Sequence, residues 1–485
     1  MATTTRPVLG ERRMSDVEAL MWNLEKDPYL ASSFCNVTIL DQPPDPDRLR
    51  ARMLHAVDVV PRLRQRVVPA LGRLAPPEWH EDPDFDIDFH VRHIALPQPG
   101  TERVLYDLAA VLAAAPLDRT RPLWEFTIVD GLEGGRSALL QKIHHTITDG
   151  EGGVRMSAEF LDFSREGQPD AEPTVAETAT DRAADAGAGG AHDTAAEPPP
   201  GNLLGTAIET ASHNLRRQLG LGRRAAESAI DLARHPQRIP AAGLEAVAVA
   251  QSLARQLAVT DHAHSSLWTQ RSLRRRFEVL RIPLDETKRA AKALGGSVND
   301  LFVAGAAGGA GAYHRAKGAD VEELRISMPV STRSDRSMGG NAFTPARLLV
   351  PAGMKDPAER FAALRERLTA TKAERSLSMA GAFAGVVNML PTSMLVRITR
   401  QQVETVDFAT SNVRGAPFDL YVGGAKILAN YPMGPTGGTA FNLTLLSSGG
   451  WLDMGANIDT AAVEDPELLR QCLEGAYAEL LAAGS

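Results

Sequence analysis

The sequence predicts a mixed α/β protein made of two similar lobes that face each other across a joint. Three observations carry this reading. The chain has 485 residues, which at about 100–200 residues per domain is room for two or three domains. Strand-like and helix-like periods recur on both sides of its middle. Between them, just after Phe163, the composition changes abruptly.

In the first lobe, residues 1–165, segments 36–40 and 126–129 read as short strands, and 137–144 alternates imperfectly before a Gly-rich break. Segments 47–59 and 104–115 carry the helical period, and a further helix is expected over 154–163, after Gly152-Gly153. Residues 166–200 hold no aromatic residue and end in three prolines. Such a stretch buries too little apolar surface to offset its ordering entropy, so a disordered linker is expected. Over 201–265 a helical connecting segment follows. Leu204, Ile208, Ala211, Leu215 and Leu219 recur at spacings of three and four, with Arg216 and Arg217 off the stripe, and a second helical stretch runs over 241–257. Two readings stand for it: helices that cover the joint, or a basic amphipathic surface that docks on anionic lipid or a lipid droplet. In the second lobe, 266–485, strands are expected at 324–329, 347–350, 426–431 and 439–446, and helices at 284–294, 300–317, 357–374 and 465–482.

With 44% hydrophobic and 23% charged residues, collagen-like, coiled-coil and wholly disordered classes drop out. The formal net charge of −8 lies almost entirely in the linker, where eight acids face one base, Arg182. Residues 201–280 reverse the sign, with eleven Arg, no Lys and six acids. This balance lends no support to nucleic-acid binding, yet leaves room for contact with an anionic membrane surface. Cys35 and Cys472 are the only cysteines, too few for a disulfide framework or a Cys-rich zinc site, which makes the cytoplasm the default compartment. They read as ordinary buried thiols. The N-terminus lacks the apolar core of a secretory signal. The most apolar stretches, 301–313 and 379–390, are short and Ala/Gly-rich, so any membrane contact is expected to be peripheral.

The densest polar signal is His144-His145-Thr146-Ile147-Thr148-Asp149-Gly150. A His at a strand end, followed by a Gly-bracketed turn, can project into a crevice, and an unperturbed pKa near 6.5 suits proton abstraction. The carboxylate four residues on can fix the turn or the ring. The competing readings are a structural histidine and a metal site. Adjacent His side chains on a strand point to opposite faces and no third strong ligand is evident nearby, so no metal is expected. No Gly-x-Ser-x-Gly elbow, phosphate loop or paired-carboxylate signature of similar strength is present.

This HHxxxDG pattern resembles the active-site motif of the CoA-dependent acyltransferase superfamily. The run from Pro116 to Glu125, with Pro122-Leu123-Trp124, looks like the PLW motif of bacterial wax ester synthase/diacylglycerol acyltransferases, and Ser297-Val298-Asn299-Asp300 looks like their ND motif. Pro329-Val330-Ser331-Thr332-Arg333, Gly340-Asn341 and Ser411-Asn412-Val413-Arg414-Gly415 are also similar, with Arg414 where a Pro is common. The resemblance spans nearly the whole chain outside the linker. It implies two chloramphenicol-acetyltransferase-like lobes with a catalytic tunnel between them, taking acyl-CoA from one side and diacylglycerol or a long-chain alcohol from the other. Acyl-CoA would be a substrate, and no cofactor is implied. His145 would be the base, His144 a support of the loop and channel, and Asp149 a structural residue with Arg333 as its candidate partner. Gly150 would permit a tight turn, and Asn299 is a candidate oxyanion donor. Asp300 also reads as part of a helix cap. Pro122, Leu123 and Trp124 are channel candidates whose alternative is lobe packing. The alternatives for the whole chain are a condensation-like acyltransferase fed by a carrier protein, and a non-catalytic paralogue that binds acyl-CoA or coats lipid droplets.

Overall fold

A computed structural model describes residues 12–70, 75–167, 264–331, 343–375 and 392–484. The linker beyond residue 167, the basic segment up to residue 263 and Arg333 lie outside the described residues.

The first lobe begins with α1 (Asp16–Leu24), started by a capping box in which Ser15 and Glu18 satisfy each other's backbone amides. After β1 (Ser33–Leu40) comes α2 (Pro46–Val59), with Asp45 as its cap and Pro46 in its first turn. A small hairpin, β2 (Gln65–Val68) with β3 (Glu78–Glu81), and the single turn α3 (Ile87–His90) lead into β4 (Val91–Ala95). Next come α4 (Glu102–Ala114), β5 (Trp124–Leu132), β6 (Arg136–His144) and α5 (Gly150–Ser157).

The second lobe runs β7 (Arg275–Pro283), α6 (Leu284–Ala293), α7 (Val298–Ala316), β8 (Leu324–Ser331), β9 (Phe343–Val350), α8 (Pro357–Arg375) and α9 (Thr392–Val403). It continues through β10 (Phe408–Arg414), β11 (Tyr421–Val422), β12 (Ala425–Met433), β13 (Phe441–Ser448), β14 (Trp451–Asp459) and α10 (Pro466–Ala483).

Two six-stranded sheets result, in the orders β11-β12-β1-β6-β5-β4 and β7-β14-β13-β10-β8-β9. The strand expected at 426–431 lies within the second lobe's stretch of sequence, but as β12 it pairs antiparallel with β1, Cys35 opposite Met433, and so joins the first sheet. Alternation in the sequence specifies a strand, whereas the sheet it joins is settled by long-range packing. β12 also keeps hold of the lobe it left: the Asn430 amide donates to Asp453 on β14 at 2.9 Å. A second seam forms where Arg103 of α4 donates to Glu278 of β7 at 2.9 Å and to the Phe277 carbonyl.

Helix α7 accounts for the Ala/Gly-rich run at 301–313. It is the buried centre of the second lobe, with Leu301 to Ala304, Ala306, Ala307 and Ala310 all in the core. A Cβ on Gly305 would come within 2.1 Å of the Tyr477 ring, so small residues are what let α10 pack against α7. No helix among the described residues is long and apolar enough to cross a membrane.

Candidate active site

β6 lies between β1 and β5, so the chain delivers His144 and His145 from a central strand. Their backbone amides go to opposite neighbours: His144 donates to the Leu123 carbonyl at 3.0 Å and His145 to the Ser32 carbonyl at 3.1 Å. The side chains diverge as well. His144 is buried, and its Nδ1 accepts from the Thr146 amide at 3.1 Å and faces the Thr146 hydroxyl at 2.7 Å. With Nδ1 accepting, the proton sits on Nε2, which donates to Glu25 at 3.2 Å.

The His145 ring tilts against Phe34 with 4.8 Å between centroids, and its Nδ1 is shut away from solvent. This burial pushes the His145 pKa down to about 4 and His144 pushes the same way, while Asp149, a backbone hydrogen bond at Thr148 and Glu25 oppose them. At neutral pH the ring is therefore uncharged and able to accept a proton.

Asp149 caps α5 by accepting from the Gly152 amide at 2.8 Å. The helix accordingly starts at Gly150, ahead of the expected 154, because the cap outweighs the poor helix propensity of Gly150, Gly152 and Gly153. Gly150 is needed for a close approach: a Cβ there would lie 2.7 Å from Val413 Cγ2 on β10.

The adjacent residue on β10 completes the constellation. Asn412 donates through Nδ2 to Oδ1 of Asn299 at 3.1 Å, in the first turn of α7. Neighbouring residues of one strand thus hold the histidine turn and the Asn299 turn. Asp300 points back into its own helix, accepting from the Ser297 amide and hydroxyl at 2.8 Å each in a capping box.

Two family profiles match the chain: the wax ester synthase/diacylglycerol acyltransferase catalytic domain over residues 14–302, and the WS/DGAT C-terminal domain over residues 339–481. The chain belongs to the wax ester synthase/diacylglycerol acyltransferase family. A Mycobacterium tuberculosis protein, named provisionally as a diacylglycerol O-acyltransferase, is 36% identical over 97% of this chain and 92% of its own length. Among solved structures, a wax ester synthase/diacylglycerol acyltransferase from Marinobacter aquaeolei VT8 superposes with a TM-score of 0.62 at 21% identity, covering 98% of this chain and 100% of that one. The first condensation domain of the calcium-dependent antibiotic synthetase follows at 0.56 and 17%, covering 100% and 98%. At these identities the likeness is one of fold, and it is the two-lobed fold expected of the family.

Other motifs of the wax ester synthase/diacylglycerol acyltransferase pattern lie behind the site. Pro122, Leu123 and Trp124 are buried, and Trp124 donates from Nε1 to the Leu63 carbonyl at 2.8 Å while stacking on His90 at 4.5 Å. Leu123 and Trp124 belong to a core cluster of the first lobe that also holds Leu139 and Ile143 of β6, as in the lobe-packing reading of this motif. The Leu123 carbonyl holds the His144 amide, and Ile147 of the histidine turn belongs to the same core cluster. Among the described residues no three His, Cys, Asp or Glu side chains gather into a metal-holding group. The polar neighbour that the sequence did not reveal is Glu25, 119 residues from His144 along the chain, at the end of a helix whose residues show no motif.

Proposed function

We propose that this chain is an acyl-CoA-dependent O-acyltransferase that forms neutral lipid, either triacylglycerol from diacylglycerol or wax ester from a long-chain alcohol. Two observations support this reading: the His145 ring is uncharged at neutral pH, and the histidine turn and Asn299 both reach β10, at Val413 and Asn412. In this reading His145 removes the hydroxyl proton as the alcohol oxygen attacks the thioester carbonyl. The new C–O bond yields a tetrahedral oxyanion, for which the Nδ2 of Asn299 is the donor. Collapse breaks the C–S bond, and the thiolate recovers the proton from His145. Ester and free CoA leave, with no acyl-enzyme formed. Asp149, as the cap of α5, and Gly150, against Val413, hold the turn that carries His145.

The acceptor is what the test must identify. Purified protein incubated with one long-chain acyl-CoA and a mixed pool of diacylglycerol and fatty alcohols should release CoA and form an ester identifiable by mass spectrometry. Transfer only from an acyl-carrier protein would favour condensation-like chemistry. Acyl-CoA binding without any ester would leave a non-catalytic binder. The absence of a membrane-spanning helix among the described residues is compatible with a peripheral site of action at a membrane or lipid droplet.

A further inference from the structure

We propose that Glu25 is a positioning residue of this site: its carboxylate, opposite the Thr146 amide, fixes the orientation of the His144 ring and, through Ser32, the placement of the His145 backbone. The proposal rests on the reading of His145 as the base.

One carboxylate oxygen does both jobs. Glu25 Oε2 accepts from the Ser32 amide at 2.6 Å and from His144 Nε2 at 3.2 Å. The Ser32 carbonyl in turn receives the His145 amide at 3.1 Å. Both histidines therefore hang on the segment from Glu25 to Ser32, one by its ring and the other by its backbone. On the far side of the His144 ring, the Thr146 amide donates to Nδ1. A ring held by a donor on one nitrogen and an acceptor on the other has a single tautomer and a single orientation.

Glu25 occupies the C-cap of α1, where the helix dipole disfavours negative charge. It is also mostly enclosed, and burial alone would raise its pKa; the hydrogen bond to His144, with the Ser32 amide and Arg119, holds it below the usual carboxylate value instead. The segment is anchored at the other lobe too: Asp27 receives Arg400 of α9 in a forked pair, 2.7 Å from Nη2 to Oδ1, and the same guanidinium lies 4.5 Å over the Tyr29 ring. The clip that orients the histidines is thus fastened across the joint.

The titratable groups facing Glu25 are His144 and Arg119, with Lys142 farther off; those facing His145 are His144, Asp149 and Glu25. Glu25 supports the protonated form of His145. Neutralising it should therefore lower the pH at which the base titrates.

The test compares Glu25→Gln and Glu25→Ala with wild type. In selectively 15N-histidine-labelled wild-type protein, His144 should show the Nε2–H tautomer with that proton hydrogen-bonded, and Glu25→Ala should lose this hydrogen bond while Nδ1 remains the acceptor of the Thr146 amide. For turnover, Glu25→Gln keeps an acceptor without charge: kcat should fall about 10–100-fold, as for other partners that orient a functional histidine. KM for acyl-CoA should stay within about twofold of wild type, as expected when ground-state binding is untouched. The acid limb of kcat should move to lower pH, and Glu25→Ala should lose more than Glu25→Gln. A purely structural role would lower Tm in both variants while leaving that limb in place. Wild-type kcat and pH dependence in Glu25→Gln, or a wild-type His144 with its proton on Nδ1, would overturn the proposal. The ring spectrum needs no substrate, so a wild-type protein that forms no ester would count against the acyltransferase reading and leave the Glu25 assignment to be judged by that spectrum.

Discussion

Asn412 donates to Asn299 across 3.1 Å, from the middle of one second-lobe element to the start of another, and the next residue, Val413, closes on Gly150 of the first lobe. The two motif turns are therefore held by a pair of consecutive residues. Disturbing either contact should be felt at the other turn.

Gly150→Ala tests the Val413 contact. With its Cβ 2.7 Å from Val413 Cγ2, one side must shift, and such overpacking costs about 1–3 kcal/mol. Turnover should fall with stability, and Val413→Ala in the same chain should restore much of both. A double-mutant cycle on Tm and kcat measures the recovery.

Asn299 and Asp300 should separate cleanly. Asn299→Ala should lower kcat about 100-fold or more if its amide is the oxyanion donor. Asp300→Ala removes a capping box and should cost about 0.5–2 kcal/mol of stability, with kcat of the folded protein little changed. Chemical denaturation alongside steady-state kinetics distinguishes the two outcomes.

Trp124→Phe should behave as a core substitution. It leaves the Leu63 carbonyl without its indole donor, 2.8 Å away in the wild type, at a cost of about 1–3 kcal/mol. KM for donor and acceptor should be unchanged, because the ring is fully buried and stacks on His90. A raised KM with unaltered Tm would return this tryptophan to the channel.

The pH dependence has a definite sign. Burial lowers the pKa of His145 to about 4 and depresses His90 and His314 as well. Each group binds its proton more readily in the unfolded chain, whose value lies near 6.5. Their contribution to stability is complete above that value and is lost as pH falls through 6.5 towards the folded values. Urea titrations should therefore give a lower midpoint at pH 5 than at pH 7.5. Turnover follows the folded value of His145, so kcat should hold its plateau down to about pH 5 in protein that remains folded.

Most of the site was legible because it is local. His144 to Gly150 make one turn, and their spacing alone places a cap, a glycine and two divergent rings together. Elements that owe their place to distant partners were harder to read. The β12 strand was visible, but the sheet it joins depends on Cys35, nearly 400 residues earlier in register with Met433. β10 passed as a short motif around Ser411-Asn412, since its buried positions are set by parallel neighbours on both sides. Glu25 left no trace: a lone acid at a helix end looks like solvated surface until the fold brings His144 against it. Trp124 was legible as a motif residue, yet only its stacking on His90 shows that its part is structural.

The most direct measurement is the turnover of His145→Ala with a long-chain acyl-CoA and diacylglycerol or a fatty alcohol, read as CoA released and ester formed. Loss of nearly all ester formation, with wild-type Tm and acyl-CoA binding retained, is the expected result. Ester formation at the wild-type rate by the folded variant would contradict the assignment of His145 as the base.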